Sequence, residues 1–156
     1  MRGRIYLVRH AKAGERHTWV EEDDINRPLS KKGRKQADRV SARLAKVDPP
    51  VLLSSRYVRC IQTLEPLADL IGSKVEIDDR LTEFEPVEPV LELISEAKNG
   101  TVMCSHGDII PEVVRRLGKS GTQLRTPTDW RKATVWVLER NKRGAIVHAT
   151  VWPPPA

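Results

Sequence analysis

The sequence predicts an α/β protein: a three-layer sandwich with a mostly parallel central sheet flanked by helices. Short apolar runs at Ile5–Val8, Val51–Leu53 and Val102–Cys104 each give way to a few polar or small residues and then to an apolar pattern of helical period. Strands that alternate with helices build parallel sheets covered on both faces. Each of these junctions also carries Arg, His or Ser at the carboxyl end of a strand, the side on which open α/β sheets bind ligands.

The elements follow in order. Ile5-Tyr6-Leu7-Val8 predicts a strand near 4–8. Residues 14–27 are polar, with Gly14 and a run of acids, and predict a mobile flap beside that strand's end. Ser30 is a candidate N-cap for a helix near 31–46, whose apolar side is Ala37, Val40 and Leu44. A strand near 51–54 precedes a helix near 57–71 that Gly72 should stop, and Pro66 inside it predicts a kink or break. A strand near 74–77, a helix near 87–98 and a strand near 101–104 come next. Pro111 then falls near the start of a helix at 109–117, where its missing N–H costs least. Two last strands near 133–139 and 145–151 flank Asn141-Lys142-Arg143-Gly144, a hairpin turn that adds an antiparallel pair at the sheet edge. Pro153-Pro154-Pro155 predicts a disordered or extended tail, so the expected organisation is one domain over 1–152 with a tail at 153–156.

The strand ends carry the chemistry. Arg9 offers a planar fork of donors suited to a phosphate, and His10 is a possible nucleophile. His106 takes the same relative position after another strand. Arg59 falls in the opening turns of the second helix, where backbone N–H groups and the helix dipole favour an anion. Leu117-Gly118-Lys119-Ser120 ends like a Walker A loop, but Val113 stands where the first Gly is required, and that reading is rejected.

Taken together, Arg9-His10-Ala11, the stretch from Ser54 through Arg59-Cys60-Ile61-Gln62-Thr63, Leu81-Thr82-Glu83 and Ser105-His106-Gly107 resemble, in family order, the motifs of the histidine phosphatase superfamily, the phosphoglycerate-mutase-like enzymes. Through Arg27-Pro28-Leu29-Ser30-x-x-Gly33 and its short length, the chain looks most like the small phosphohistidine phosphatases of the SixA type. The stretch from Arg59 to Ala68 is also similar to the phosphatase domain that follows a Nudix domain in some MutT-like nucleotide hydrolases. Two departures stand out. Ala11 replaces the signature Gly, and Cys60 replaces the usual Ala, a small change on a packed helix face.

The resemblance implies a mechanism. Neutral His10 attacks phosphorus and is transiently phosphorylated, its pKa held down by repulsion from two arginines. Arg9 and Arg59 hold the phosphoryl oxygens, and His106 donates to the same group. Glu83 protonates the leaving group and then activates water. No metal or cofactor is implied. Glu85 is an alternative to Glu83, and Arg56 contends with Arg59. Ser55, Ser105 and Gly107 are candidate backbone donors to the phosphate, or turn formers. Lys12, Arg16 and His17 are placed to steer an acidic substrate.

Composition narrows the partners. With 39% hydrophobic and 31% charged residues, the chain is neither membrane-bound nor disordered in character. The N-terminus runs directly into a strand, so a cytoplasmic protein without a signal peptide is expected. Cys60 and Cys104 are isolated and read as small buried hydrophobes. The net charge of +6 permits nucleic-acid binding, but Lys31, Lys32, Arg34, Lys35 and Arg39 share one solvated helix face without interleaved aromatics, which argues against a dedicated function of that kind. Three functions remain open. One is a phosphatase for phosphohistidine protein or another large phosphorylated substrate, favoured by the short stretch between Glu83 and His106, which leaves little chain for a capping insertion. The second is a nucleotide phosphatase, for which Trp19 or Trp130 offers a stacking face, although core packing is the commoner use. The third is a binding module for phosphorylated partners that lacks turnover.

Overall fold

A computed structural model describes residues 3–15 and 19–156. Its strands are β1 (Arg4–Arg9), β2 (Leu52–Ser54), β3 (Val75–Ile77), β4 (Val102–Ser105), β5 (Gln123–Leu124), β6 (Val135–Arg140) and β7 (Ile146–Trp152). Its helices are α1 (Lys31–Ala45), α2 (Val58–Ile71), α3 (Glu88–Glu96) and α4 (Ile109–Lys119). The strands form one sheet in the order β3-β2-β4-β1-β6-β7-β5. β6 alone runs against the others, pairing antiparallel with β1 and β7.

Side chains alternate across the sheet with period two, and each set meets its own helix layer. Tyr6, Val8, Val102, Cys104, Val135 and Val137 pack on one face with Ala37, Val40 and Leu44 of α1 and Cys60, Leu64 and Leu67 of α2. Ile5, Leu7, Met103, Trp136 and Leu138 pack on the other with Val90, Leu93 and Ile94 of α3 and Ile109, Ile110, Val113 and Val114 of α4. The result is an α/β three-layer sandwich. β1 and β4 are neighbours, yet the helices that follow them lie on opposite faces. The chain diverges between their carboxyl ends, and a crevice opens there.

Local chemistry accounts for the helix ends. The Ser30 hydroxyl accepts the Gly33 N–H at 3.0 Å and caps α1. Gly72 ends α2 in the left-handed conformation, φ +66°, which a side chain would resist. In the β6–β7 hairpin, the Asn141 side-chain oxygen accepts the N–H groups of Arg143 and Ala145.

Three expectations need correction. α2 runs unbroken through Pro66: the proline removes one N–H, while Cys60, Leu64, Leu67 and Ala68 of the same helix stay packed in the core. The hairpin pair does not end the sheet, because β5 lies outside β7; two exposed residues carry no periodic signal. The segment expected as a flap is tied down where it is described. Glu21–Asn26 form a 3₁₀ turn, and the Gly14 N–H donates to the Pro28 carbonyl at 2.9 Å. The expected flap also spans 16–18, which lie outside the described residues. Beyond β7, residues 153–156 carry no helix or strand, and Pro153 and Pro155 line a small cleft with Val40, Arg43 and Trp152.

Candidate active site

β1, β4 and the N-terminus of α2 converge on a cleft of about 770 Å³ that includes Arg9, His10, Arg27, Arg59, Glu83, His106, Gly107 and Lys132. His10 follows β1 directly, and its backbone is fixed on both sides. Its N–H donates to the Ser105 carbonyl at 3.2 Å, and its carbonyl accepts the Ala133 N–H at 3.2 Å. The ring Nδ1 lies 2.8 Å from the Ala11 carbonyl oxygen. A carbonyl can only accept, so Nδ1 carries the ring proton and Nε2 keeps its lone pair. The His106 ring meets that of His10 edge-on, with centroids 5.5 Å apart.

His106 is held from behind. Its Nε2 lies 2.8 Å from the Ser55 hydroxyl, which already accepts the Tyr57 N–H at 3.1 Å. The hydroxyl proton has no other acceptor among the described residues, so it is donated to Nε2, which places the His106 ring proton on Nδ1, the side that faces the Glu83 carboxylate. That atom is buried without a hydrogen-bond partner and stands 3.9 Å from Glu83 Oε2. A buried orphan donor at a cleft wall is suited to an incoming acceptor such as a phosphoryl oxygen.

Arg59 is 1% exposed and reaches the cleft from the first turn of α2. Its Nη2 donates to Glu83 Oε2 at 2.6 Å and to Asp24 Oδ2 at 3.2 Å, and Nη1 donates to the Asp24 carbonyl at 3.0 Å. Asp24 also takes the Arg27 Nε at 2.8 Å. Arg9 donates to the Trp130 carbonyl, and its guanidinium lies over Gly107, where an added Cβ would come 2.6 Å from Cζ. Only glycine allows that close approach. The neighbouring motif residues act as staples. The Gln62 side-chain oxygen accepts the Leu29 N–H at 2.8 Å, and the Thr63 hydroxyl accepts the Ala11 N–H at 3.0 Å, which ties the β1 loop to α2.

Burial is the first cause of the low basicity of both histidines. His10 is pushed down to about 3, with Arg59, Arg9 and Lys132 adding to the effect. His106 is pushed down to about 2 by burial, then by His10, Arg59 and Arg9. The sequence expectation credited the two arginines, but removal of water from the imidazolium outweighs them. Both rings are therefore neutral at pH 7, and the unfolded chain binds their protons first. Their contribution to stability is complete above the unfolded value of about 6.5 and is lost as pH falls toward 3. Thermal melts between pH 7.5 and 4.5 should show a steeper acid loss for the native chain than for His10→Asn. Parallel slopes would show that His10 is not buried as a neutral ring.

The structure brings His10, Arg9, Arg59, Glu83, His106, Gly107 and Lys12 to one cleft. Ser55 and Ser105 are corrections. Both are fully buried behind it, the Ser55 N–H is spent on the Cys104 carbonyl, and the Ser105 hydroxyl donates to the Leu81 carbonyl at 2.7 Å. They orient the site and do not face it. Arg56 is exposed and paired with Asp79, and Glu85 is exposed. Arg16 and His17 lie outside the described residues. Ala11 packs in the core beside α1 and α2, whereas Cys60, in the same cluster, also places its Sγ 3.6 Å from His106 Nε2, behind the cleft. Trp130 stacks on Trp136 at 5.2 Å, a packing use.

Sequence reasoning missed Asp24, Arg27 and Lys132. The Arg27-Pro28-Leu29 stretch was the available signal, since an arginine held beside Asp24 at i−3 returns the chain to the Arg59 side of the cleft. Phe84, just after Glu83, is 80% exposed with φ +69°, a conformation that costs a side-chain-bearing residue about 1–3 kcal/mol. Among the described residues no three His, Cys, Asp or Glu are grouped to hold a metal ion, and no helix is long and apolar enough to cross a membrane.

Comparison with known proteins finds relatives among phosphatases. The chain is 31% identical to an 8-oxo-(d)GTP phosphatase of Mycolicibacterium smegmatis over 97% of its own length, and it spans about half (48%) of that relative. In fold it is similar to the protein histidine phosphatase SixA solved with tungstate, with a TM-score of 0.70, 22% identity, and coverage of 96% of this chain and 94% of that one. A mycobacterial glucosyl-3-phosphoglycerate phosphatase solved with VO3 gives a TM-score of 0.71 at 20% identity, with coverage of 98% and 100%. The profile of the histidine phosphatase superfamily (branch 1) matches residues 5–88, the stretch that carries β1, α1, α2, Arg59 and Glu83. The chain belongs to the histidine phosphatase superfamily.

Proposed function

We propose that this phosphatase hydrolyses phosphate monoesters without a metal, through a covalent phosphohistidine at His10. The observation that carries the reading is the Nε2 lone pair of a neutral, backbone-anchored His10 inside a cleft walled by Arg9, Arg59 and the His106 Nδ1–H. Nε2 attacks phosphorus as the ester oxygen departs with a proton from Glu83. Water, deprotonated by Glu83, then displaces His10 and releases phosphate. The two guanidinium groups and His106 stabilise the equatorial oxygens, whose charge must be met during transfer.

The substrate is an accessible phosphoryl group. The stretch from Glu83 to His106 is taken up by α3 and β4. An open cleft of this kind supports phosphohistidine protein or another large phosphorylated substrate. The relative named as an 8-oxo-(d)GTP phosphatase favours a second reading, a nucleotide.

The test is phosphate release from an activated aryl phosphate in excess chelator, with vanadate as a competing oxyanion. Turnover should persist, and vanadate should bind and raise the melting temperature. Arg59→Ala should weaken vanadate by about 2–5 kcal/mol because it strips a partner from a desolvated anion, whereas exposed Arg56 should matter little. Loss of activity in chelator with rescue by a divalent ion would overturn the metal-free mechanism. Equal losses in the two variants would remove Arg59 from the phosphoryl site.

A further inference from the structure

We propose that a second cleft beside the phosphoryl pocket is a leaving-group subsite for the purine base of a nucleoside monophosphate, an assignment that rests on the phosphatase reading above. Trp19, Val20, Tyr57 and Phe84, with Glu21 and Asp24, enclose about 430 Å³ there. The cleft shares two walls with the catalytic pocket. Asp24 bonds Arg59 at 3.2 Å, and the Tyr57 ring lies 4.8 Å from the His106 ring and 4.6 Å from the Arg59 guanidinium. A group esterified to phosphate at Arg59 and His106 therefore has this cleft as its neighbour.

Phe84 is the most informative wall. It follows the acid Glu83 directly, keeps its ring largely in water, and adopts a left-handed backbone whose N–H is held by the Asp108 carboxylate at 2.8 Å. Exposure and backbone strain both disfavour this placement, and a planar ligand between Phe84, Trp19 and Tyr57 would cover the exposed ring. Three aromatic side chains suit a nucleobase, which stacks through its π-face. The charged side chains lining the cleft are the carboxylates Glu21 and Asp24. Asp24 is already paired with Arg59 and Arg27, so among the described residues no lining cation is left to meet a second phosphate. Glu21 can accept from the N–H edge of a base; the occupant is the base of a monophosphate and not a polyphosphate tail. In the reaction the bond from phosphorus to the ribose oxygen breaks, His10 Nε2 bonds phosphorus, and that oxygen takes the proton from Glu83. Water then releases phosphate from His10.

The experiment compares kcat/KM for guanosine and adenosine 5′-monophosphate, ribose 5-phosphate, a phosphotyrosyl peptide and a phosphohistidine protein. Calorimetric titration of guanosine 5′-monophosphate is run alongside. Purine monophosphates should exceed ribose 5-phosphate by tenfold or more. Phe84→Ala and Trp19→Ala should each cut that ratio, and the affinity, about tenfold. Phe84 is exposed, so its truncation leaves the core intact. A ratio near one, or a ratio unmoved in both variants, overturns the subsite and spares the phosphatase reading if the aryl phosphate is still turned over. Preference for either phosphorylated protein substrate that depends on these two residues also overturns it. If the native chain turns over no phosphate at all, the phosphatase reading fails. The titrations then decide the cleft: tight nucleotide binding lost in Phe84→Ala supports it, and equal binding in both proteins ends it.

Discussion

His10→Ala is expected to lower turnover by about 10⁴-fold or more, because the substitution deletes the atom that bonds phosphorus. Substrate carrying labelled phosphorus should leave its label on the native protein during turnover. That label should be lost in acid and retained in base, as a phosphoramidate is, and it should map to His10. The structure makes this sharp because His10 and His106 face each other and are both neutral. They differ in the state of Nε2. His10 presents a lone pair, while the Nε2 of His106 is occupied by Ser55. Label on His106, or on a serine or cysteine, would assign the nucleophile wrongly. The pH profile of kcat/KM should agree. Read against the substrate dianion, it should show no acid limb near the ordinary histidine value, since His10 stays neutral down to about pH 3 in the free enzyme.

The second large effect concerns Glu83. Its carboxylate is bonded to Arg59 at 2.6 Å and stands 3.9 Å from His106 Nδ1, at the edge of the space a leaving group would occupy. An alkyl or ribose oxygen departs poorly without a proton, whereas a phenolate needs little help. Glu83→Gln should therefore slow alkyl phosphates by about 10²–10⁴-fold and slow phosphohistidine formation from aryl phosphates far less. Rapid-quench measurement of the first turnover separates the two steps, because hydrolysis of the intermediate also uses Glu83. Glu85→Gln should leave both substrate classes nearly unchanged, as befits an exposed side chain. Leaving-group dependence in Glu85→Gln and none in Glu83→Gln would move the acid by two residues.

The fold class was legible because buried strands announce themselves locally. Val8 and Cys104 sit in apolar runs that a central parallel sheet demands, and Ala37, Val40 and Leu44 repeat at helical spacing. The site residues were legible for a related reason. Each of His10, Arg59 and His106 lies just beyond a strand or in the first turn of the next helix, so its place in the fold follows from its place in the chain. β5 was not legible, since two exposed residues pair with β7 only because the chain after α4 happens to pass there.

The sequence alone thus determined the α/β architecture, the strand ends that carry chemistry, and the meeting of Arg9, His10, Arg59 and His106 there. The tertiary structure decided the rest. It turned Ser55 from a candidate donor into the prop behind His106, spent Ser105 on the Leu81 carbonyl, and brought Asp24 across to Arg59 and Arg27. It also chose the tautomer of His10 and pushed its pKa down by burial more than by charge. Periodicity and capping act between residues a few positions apart, and a sequence displays them directly. Hydrogen bonds between distant segments and the loss of water around a side chain exist only once the layers have packed.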